Sequence, residues 1–293
     1  MNKGNPLVSV IISCYNHEHY IEDCVRSAIA QTYPAIELLV VDDGSTDSSP
    51  EILTRLADEL NFDLRLQANK GLSTTLNETI VRSSGKYVCV MGSDDVMMPD
   101  KTAKQVSIME QNADVAVCGG NAVFIDSMGN PVRNRRALPG YREISFDHLF
   151  LGSGPGIIAP TAMIRRSVLD GVGMYDPNIP LEDLYMWLKI THRGFRMVGL
   201  EDTLIYYRKH ASNTYKDVRY MIDSIIKTIA PYSDHPRYSR VRAEFLKSAM
   251  VSAAKQNNPS LFAELTGQLG LRHRITPKVL RSKWILFSKR FAS

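Results

Sequence analysis

Two apolar runs in this chain end in adjacent aspartates, and nothing else in the sequence restricts the fold as strongly. Leu38-Leu39-Val40-Val41 leads into Asp42-Asp43, and Tyr87-Val88-Cys89-Val90-Met91 leads through Gly92-Ser93 into Asp94-Asp95. Short apolar runs rich in β-branched residues and closed by turn residues read as buried strands. Neighbouring carboxylates at a strand end repel each other unless hydrogen bonds, a cation or a ligand relieves them. In an open parallel sheet, ligands bind outside the carboxyl ends of the strands. A hard divalent cation holding a phosphate-bearing substrate suits such a place.

The elements between and around these runs alternate. Val8–Ser13 reads as a buried strand, and residues 18–32 as a helix with Ile21, Val25, Ala28 and Ile29 on one face. Leu38–Val41 is the second strand, followed by a helix from about Ser49 to Leu60 capped by Ser45 or Thr46. A short strand over Phe62–Leu66, a helix over Ser73–Ser83 and the strand Tyr87–Met91 come next. Pro99 then opens a helix to about Asn112, before the strand Val115–Cys118. This order predicts an α/β fold with a mostly parallel sheet and right-handed crossovers.

After Asn121 the rhythm changes. A hairpin-like excursion is expected around the turn 126–130, and a glycine- and proline-rich loop at 152–160. Strands at Thr161–Ile164 and Leu204–Tyr207 flank a helix at Asp183–His192. From about Asp217 the pattern is helical, broken near Pro231, Pro236 and Pro259. The expected division is a body of residues 1–215 and a helical C-terminal extension of residues 216–293. Within the body, the strand–helix alternation of residues 1–120 is expected to form one part and residues 121–215 another.

Charge narrows the partners. The net charge is +4, yet Arg272–Arg290 alone holds seven Arg or Lys and no acid, which leaves residues 1–271 near −3. A mildly acidic body with a basic tail speaks against a nucleic-acid footprint and for one local anionic partner. No run approaches the roughly 20 apolar residues of a membrane span, and no apolar leader follows Met1, so a cytoplasmic protein is expected. Cys14, Cys24, Cys89 and Cys118 lack metal-site spacing and read as buried thiols.

Several segments, taken in order, resemble the inverting, nucleotide-sugar-dependent family 2 glycosyltransferases of GT-A fold. They are Val8–Asn16, Ser27–Tyr33, Asp42–Asp47, Asn69–Ser73 with Asn77, Gly85–Tyr87, Ser93–Asp95, Leu181–Asp183 and Tyr207–His210. Each is weak alone, but the ordered set spans about residues 7–210. The resemblance implies a sugar moved from a UDP- or dTDP-sugar to a saccharide acceptor, often lipid-linked, in cell-surface polysaccharide synthesis. It implies Mn²⁺ or Mg²⁺ as cofactor, with Asp95 as direct ligand and His210 completing the shell. Asp94 is then expected at the ribose or donor sugar, and Arg208 at the diphosphate.

Asp43 is expected to accept the N3–H of the base, with Ser13 and Tyr15 lining that pocket and Asn69 shaping a loop over the donor. Asp42 is read as setting its loop. The resemblance makes Asp183 the general base and Glu182 its neighbour, positioning the acceptor or raising the pKa of Asp183 by like charge. One departure stands out: the commonest form of the metal motif has an acid two places before the pair, where this chain has Gly92.

Two other readings stay open at this point. One is a nucleotidyltransferase acting on sugar phosphates, although Cys14–Glu18 stands where its glycine-rich loop is expected. The other is a non-catalytic protein that binds nucleotide sugars. In the tail, Leu280, Trp284, Phe287 and Phe291 recur at helical spacing among cations. That pattern fits either an interfacial helix on an anionic membrane at the inner face of the plasma membrane or a helix packed on the body.

Overall fold

The computed structural model describes residues 4–132, 137–210, 213 and 217–290. Phe291 lies outside them. Two compact units divide the chain, one of residues 1–178 and 182–210, the other of residues 179–181 and 211–293.

The larger unit opens with a regular alternation. Its elements are β1 (Val8–Cys14), α1 (Ile21–Ile29), β2 (Ile36–Asp43), α2 (Ser49–Leu60), β3 (Asp63–Gln67), α3 (Leu72–Arg82) and β4 (Tyr87–Gly92). Then come β5 (Val96–Met97), α4 (Lys101–Gln111), β6 (Val115–Ile125), β7 (Arg142–Ile144) and α5 (Phe146–Phe150). β8 (Met163–Arg165), α6 (Arg166–Val172), α7 (Glu182–His192) and β9 (Arg196–Arg208) complete it. Among the described residues all nine strands join one sheet in the order β3-β2-β1-β4-β8-β6-β9-β5, with β7 on β9.

The expected parallel sheet holds for its first half, where β3, β2, β1 and β4 run parallel. Beyond β4 the sheet is mixed. β8 runs antiparallel to both β4 and β6, while β6 and β9 are parallel. Residues 123–125 extend β6, and the expected hairpin turn follows: Ile125 bridges Pro131 antiparallel, and the Val132 N–H donates to the Phe124 carbonyl at 2.9 Å. Gly119 and Gly120 interrupt the apolar pattern of β6, and the register shifts beside them. Likewise β9 is far longer than Leu204–Tyr207, because Gly199 and Glu201-Asp202 break its hydrophobic signal.

β1 is buried on both sides, as a central parallel strand requires. Val8, Val10, Ile12 and Cys14 pack on one side with α1 residues Ile21, Cys24 and Val25. Ile11 faces the other way, with Leu76 and Ile80 of α3 and Trp187 of α7. All four cysteines are buried free thiols. The result is a central sheet flanked by helices, a GT-A-like α/β architecture.

The second unit is helical. α8 (Val218–Ile229), α9 (Tyr238–Lys255), α10 (Pro259–Gln268) and α11 (Pro277–Arg290) are separated by the expected proline breaks. Leu246, Met250 and Ala253 of α9 form a core with Leu261 and Leu265 of α10 and Val279 of α11. No described helix is long and apolar enough to cross a membrane.

Candidate active site

Strand register decides which side chains meet. β1 lies between β2 and β4, with Cys14 opposite Asp42 and Ser13 opposite Gly92. The residues just past these strands therefore share one edge of the sheet. Ile125 of β6 lies opposite Arg208, so the end of β9 closes the same region.

At this edge His17, Asp94 and His210 each present one ligand atom, all within 4.8 Å of one another. Asp94 Oδ2 lies 2.9 Å from His210 Nε2. His17 Nδ1 lies 2.7 Å from Ser93 Oγ, which orients its ring. Burial holds the pKa of His17 below the ordinary histidine value, against the pull of Asp94. It is therefore neutral at pH 7 and keeps a lone pair for a cation. The His210 ring rests 5.1 Å from that of Tyr20. One carboxylate and two imidazoles form a donor set that fits a divalent metal ion.

Asp95, the expected direct ligand, is outside this cluster. Its Oδ1 accepts the Arg208 backbone N–H at 2.8 Å, and the residue is almost wholly buried. Desolvation and then the charge of Asp94 raise its pKa well above the carboxylate range. Asp94, expected at the sugar, instead stands between the histidines. Arg208, expected at the diphosphate, is buried too: its Nε donates to the Asp94 carbonyl at 2.8 Å and its Nη2 to Asp23 at 3.3 Å. Its guanidinium also lies 4.8 Å from the Tyr20 ring centroid. Asp95 and Arg208 together lock the 93–95 turn onto the end of β9.

The missing acid at position 92 has a steric explanation. A Cβ on Gly92 would lie 2.8 Å from Asp94 Oδ1 and 3.1 Å from Asp95 Oδ2. Both carboxylates fold back over this residue, so a side chain here would have to push them aside. Gly92→Ala is expected to cost ~1–3 kcal/mol by overpacking and to turn Asp94 away from the histidines. Thermal denaturation together with a metal-dependence curve for activity checks this; an unchanged Tm and an unchanged curve would refute the steric account.

Asp43 holds a second cluster. Its Oδ1 accepts from Gln67 Nε2 at 2.8 Å and from the Lys70 N–H at 2.9 Å, and its Oδ2 from the Gly71 N–H at 2.9 Å. Asp42 shapes its loop as expected, accepting the Gly44 and Ser45 N–H groups and the Ser45 hydroxyl. Gly44 has φ +80°, and a Cβ there would lie 2.6 Å from the Asn69 backbone nitrogen, so two loops touch at this glycine. Asn69 itself is exposed, Ser13 half-buried and Tyr15 half-exposed. Asn77 bonds the backbone of Tyr175 through both ends of its amide. Lys70 pairs with Glu78 and Arg82 with Asp63 on the surface.

Glu182 and Asp183 open α7 as a third, separate group. Some solvent reaches both residues, but their carboxyl groups are desolvated. Burial, then the charge of Asp183, pushes Glu182 up to about 8. Burial also raises Asp183, although its Oδ1 accepts the Leu184 N–H at 2.6 Å. Trp187 follows four residues later on the same helix face, and its buried indole N–H has no partner among the described residues.

Residues 9–173 match the family described as Glycosyl transferase family 2. The chain belongs to that family. This glycosyltransferase is 33% identical over 212 residues to TuaG of Bacillus subtilis, named for teichuronic acid biosynthesis, covering 71% of this chain and 81% of TuaG. The S. aureus TarS 1–349 structure in complex with UDP-GlcNAc superposes with a TM-score of 0.69 at 18% identity, covering 98% of this chain and 92% of that one. A mannosyltransferase of Pyrobaculum calidifontis in complex with GDP-Man and Mn²⁺ gives 0.60 at 18%, covering 99% and 88%. At such identities these two likenesses establish the fold of the family 2 enzyme. Membership sets aside the nucleotidyltransferase and non-catalytic readings.

Gln67 and Tyr20 are the site neighbours that sequence reasoning passed over. His17 and His19, just past the first strand, are a weak metal signal in the sequence, with solvent-facing side chains the default. The available signal was register: β1 and β4 are parallel neighbours, so a residue shortly after one strand end can meet Ser93 and Asp94 after the other.

Proposed function

We propose that this family 2 enzyme moves a sugar, with inversion, from a uridine or thymidine diphosphate sugar to a hydroxyl of a saccharide acceptor during synthesis of a cell-surface polysaccharide. The acceptor is lipid-linked, and the enzyme works in the cytoplasm, peripheral to the inner face of the plasma membrane. The observation that carries the reading is the meeting of His17, Asp94 and His210 at the carboxyl edge of the parallel strands. TuaG, named for teichuronic acid biosynthesis, and TarS, solved with UDP-GlcNAc, support the substrate classes.

Asp94, His17 and His210 are the residues that would hold the cation, with Asp95 and Arg208 bracing them from behind. Two imidazoles beside one carboxylate favour Mn²⁺ over Mg²⁺, which prefers oxygen alone. The bound cation offsets the repulsion between the phosphates and the charge of the departing diphosphate. Three N–H groups already donate to Asp43. Of the roughly four positions a carboxylate offers, about one remains, on Oδ2, for a pyrimidine N3–H. The register Cys14 opposite Asp42 brings Tyr15 level with Asp43, where its ring can face the base. Asp183 takes the proton of the acceptor hydroxyl as the anomeric carbon is attacked. Glu182, whose carboxyl burial and the charge of Asp183 keep largely protonated near neutral pH, positions the acceptor beside that base, and Trp187 offers an N–H to an acceptor oxygen.

A panel of nucleotide sugars with purified enzyme, read by release of nucleotide diphosphate, tests the donor assignment. UDP- or dTDP-sugars are expected to turn over and GDP-sugars to fail, because guanine presents a different edge to Asp43. Preferred turnover of a GDP-sugar would overturn the pyrimidine reading.

A further inference from the structure

α11 has two unlike faces. Val279 and Ser282 are fully buried in the helical unit, with Ile285 and Leu286 partly covered. On the neighbouring stripe Leu280 is 53%, Trp284 68% and Phe287 60% exposed. The turn leading into the helix adds Leu271 and Ile275, each 80% exposed. Five large apolar side chains thus lie open within one short stretch, far more than scattered surface hydrophobics require.

Cations border this stripe. Arg272, Arg281 and Lys283 are exposed, and no hydrogen bond or ion pair engages them among the described residues. Arg274 instead donates to the Leu269 and Gly267 carbonyls. Beside the stripe, Ser248 and Val251 of α9 and Pro277, Lys278 and Arg281 of α11 line a groove of about 440 Å³. Lys278 Nζ lies 2.7 Å from Ser248 Oγ. The nearest acid, Glu244, is 3.8 Å from Lys278 and is already paired at 2.7 Å with Lys247.

We propose that this face docks on an anionic phospholipid bilayer. The stripe enters the boundary of the acyl region, and the groove between α9 and α11 receives one headgroup phosphate on Lys278 and Arg281. The inference rests on the peripheral placement proposed above and gives it residues. Charge selects this occupant. A second copy of the chain would bring two cationic rims together, and a neutral surface would leave the cations uncompensated. An indole at the rim of an apolar stripe suits the headgroup level.

The test uses the full chain with vesicles of phosphatidylcholine alone or mixed with phosphatidylglycerol, by flotation at low and high salt. Binding is expected only with phosphatidylglycerol, and it is expected to weaken with salt. Each basic residue near such a surface strengthens binding about fivefold, so Lys278→Gln with Arg281→Gln is expected to weaken it roughly 25-fold. Leu280→Ser with Trp284→Ser is expected to abolish it. Trp187 is already buried, so a blue shift of tryptophan fluorescence on vesicle addition reports Trp284.

Transfer to a soluble acceptor, measured without vesicles, is expected to be unaffected in all these variants. No binding at low salt, equal binding to phosphatidylcholine, or equal binding by the Leu280/Trp284 variant would overturn the docking proposal. Absence of vesicle binding by the wild-type chain with its transfer activity intact refutes only the docking face, whereas absence of transfer from every donor refutes the reading of the active site.

Discussion

Asp183→Asn is expected to lower the transfer rate by ~10²–10⁴, the range for loss of a positioned general base, while donor binding stays near wild type. Asparagine keeps the side-chain shape and an oxygen for the Leu184 N–H that Asp183 now accepts at 2.6 Å. What disappears is the proton acceptor. Desolvation raises the pKa of Asp183 and takes Glu182 to about 8, so this pair is more basic than surface carboxylates. Only the deprotonated form accepts a proton. The wild-type rate is therefore expected to rise with pH through the titration of the pair, with its acid limb above the usual carboxylate range and toward that of Glu182. A rate profile against pH and a donor titration measure both parts. An Asp183→Asn enzyme that transfers at near wild-type rate would shift the role to Glu182.

Chelation is expected to have an effect at least as large. With EDTA present, Asp94 faces the diphosphate as an uncompensated acid, and Arg208 cannot turn to help. Its Nε is committed to the Asp94 carbonyl and its N–H to Asp95. Removing one group that stabilises developing charge commonly costs ~10²–10³ in rate, so losing the cation is expected to cost no less. Added Mn²⁺ is expected to restore activity more fully than Mg²⁺. Asp94→Asn is expected to raise the Mn²⁺ needed for half-maximal rate. Undiminished transfer in chelated buffer would move charge compensation onto cationic side chains.

The fold was legible where one physical signal dominated. From Val8 to Cys118, β1, β2 and β4 are short apolar runs and the helices between them amphipathic, so length and periodicity both point to the same element. Legibility failed in β6 and β9, where glycines and an acidic pair break the apolar pattern but the partner strand still supplies hydrogen bonds. Two-residue β5 carries no period at all, and exists because Val96 and Met97 pair with Tyr206 and Ile205.

Within the site, residue types were readable and partners were not. The loop-setting role of Asp42 follows from the Gly-Ser after it. Placing Asp94 rather than Asp95 with the histidines depends on Arg208 drawing Asp95 inward from 113 residues away. That contact, like the pairing of His17 with Ser93, arises only once the strands are in register.

In the proposed function, His17, Asp94 and His210 hold the metal ion that binds the donor diphosphate. Titrating Mn²⁺ into the protein with UDP present, and following free Mn²⁺ by electron paramagnetic resonance, tests this metal site. One saturable ion per chain is expected for the wild type, with loss of that binding in a His17→Ala, His210→Ala variant that keeps its fold by circular dichroism. Unchanged Mn²⁺ binding in the double variant, or none in the wild type, would contradict the claim.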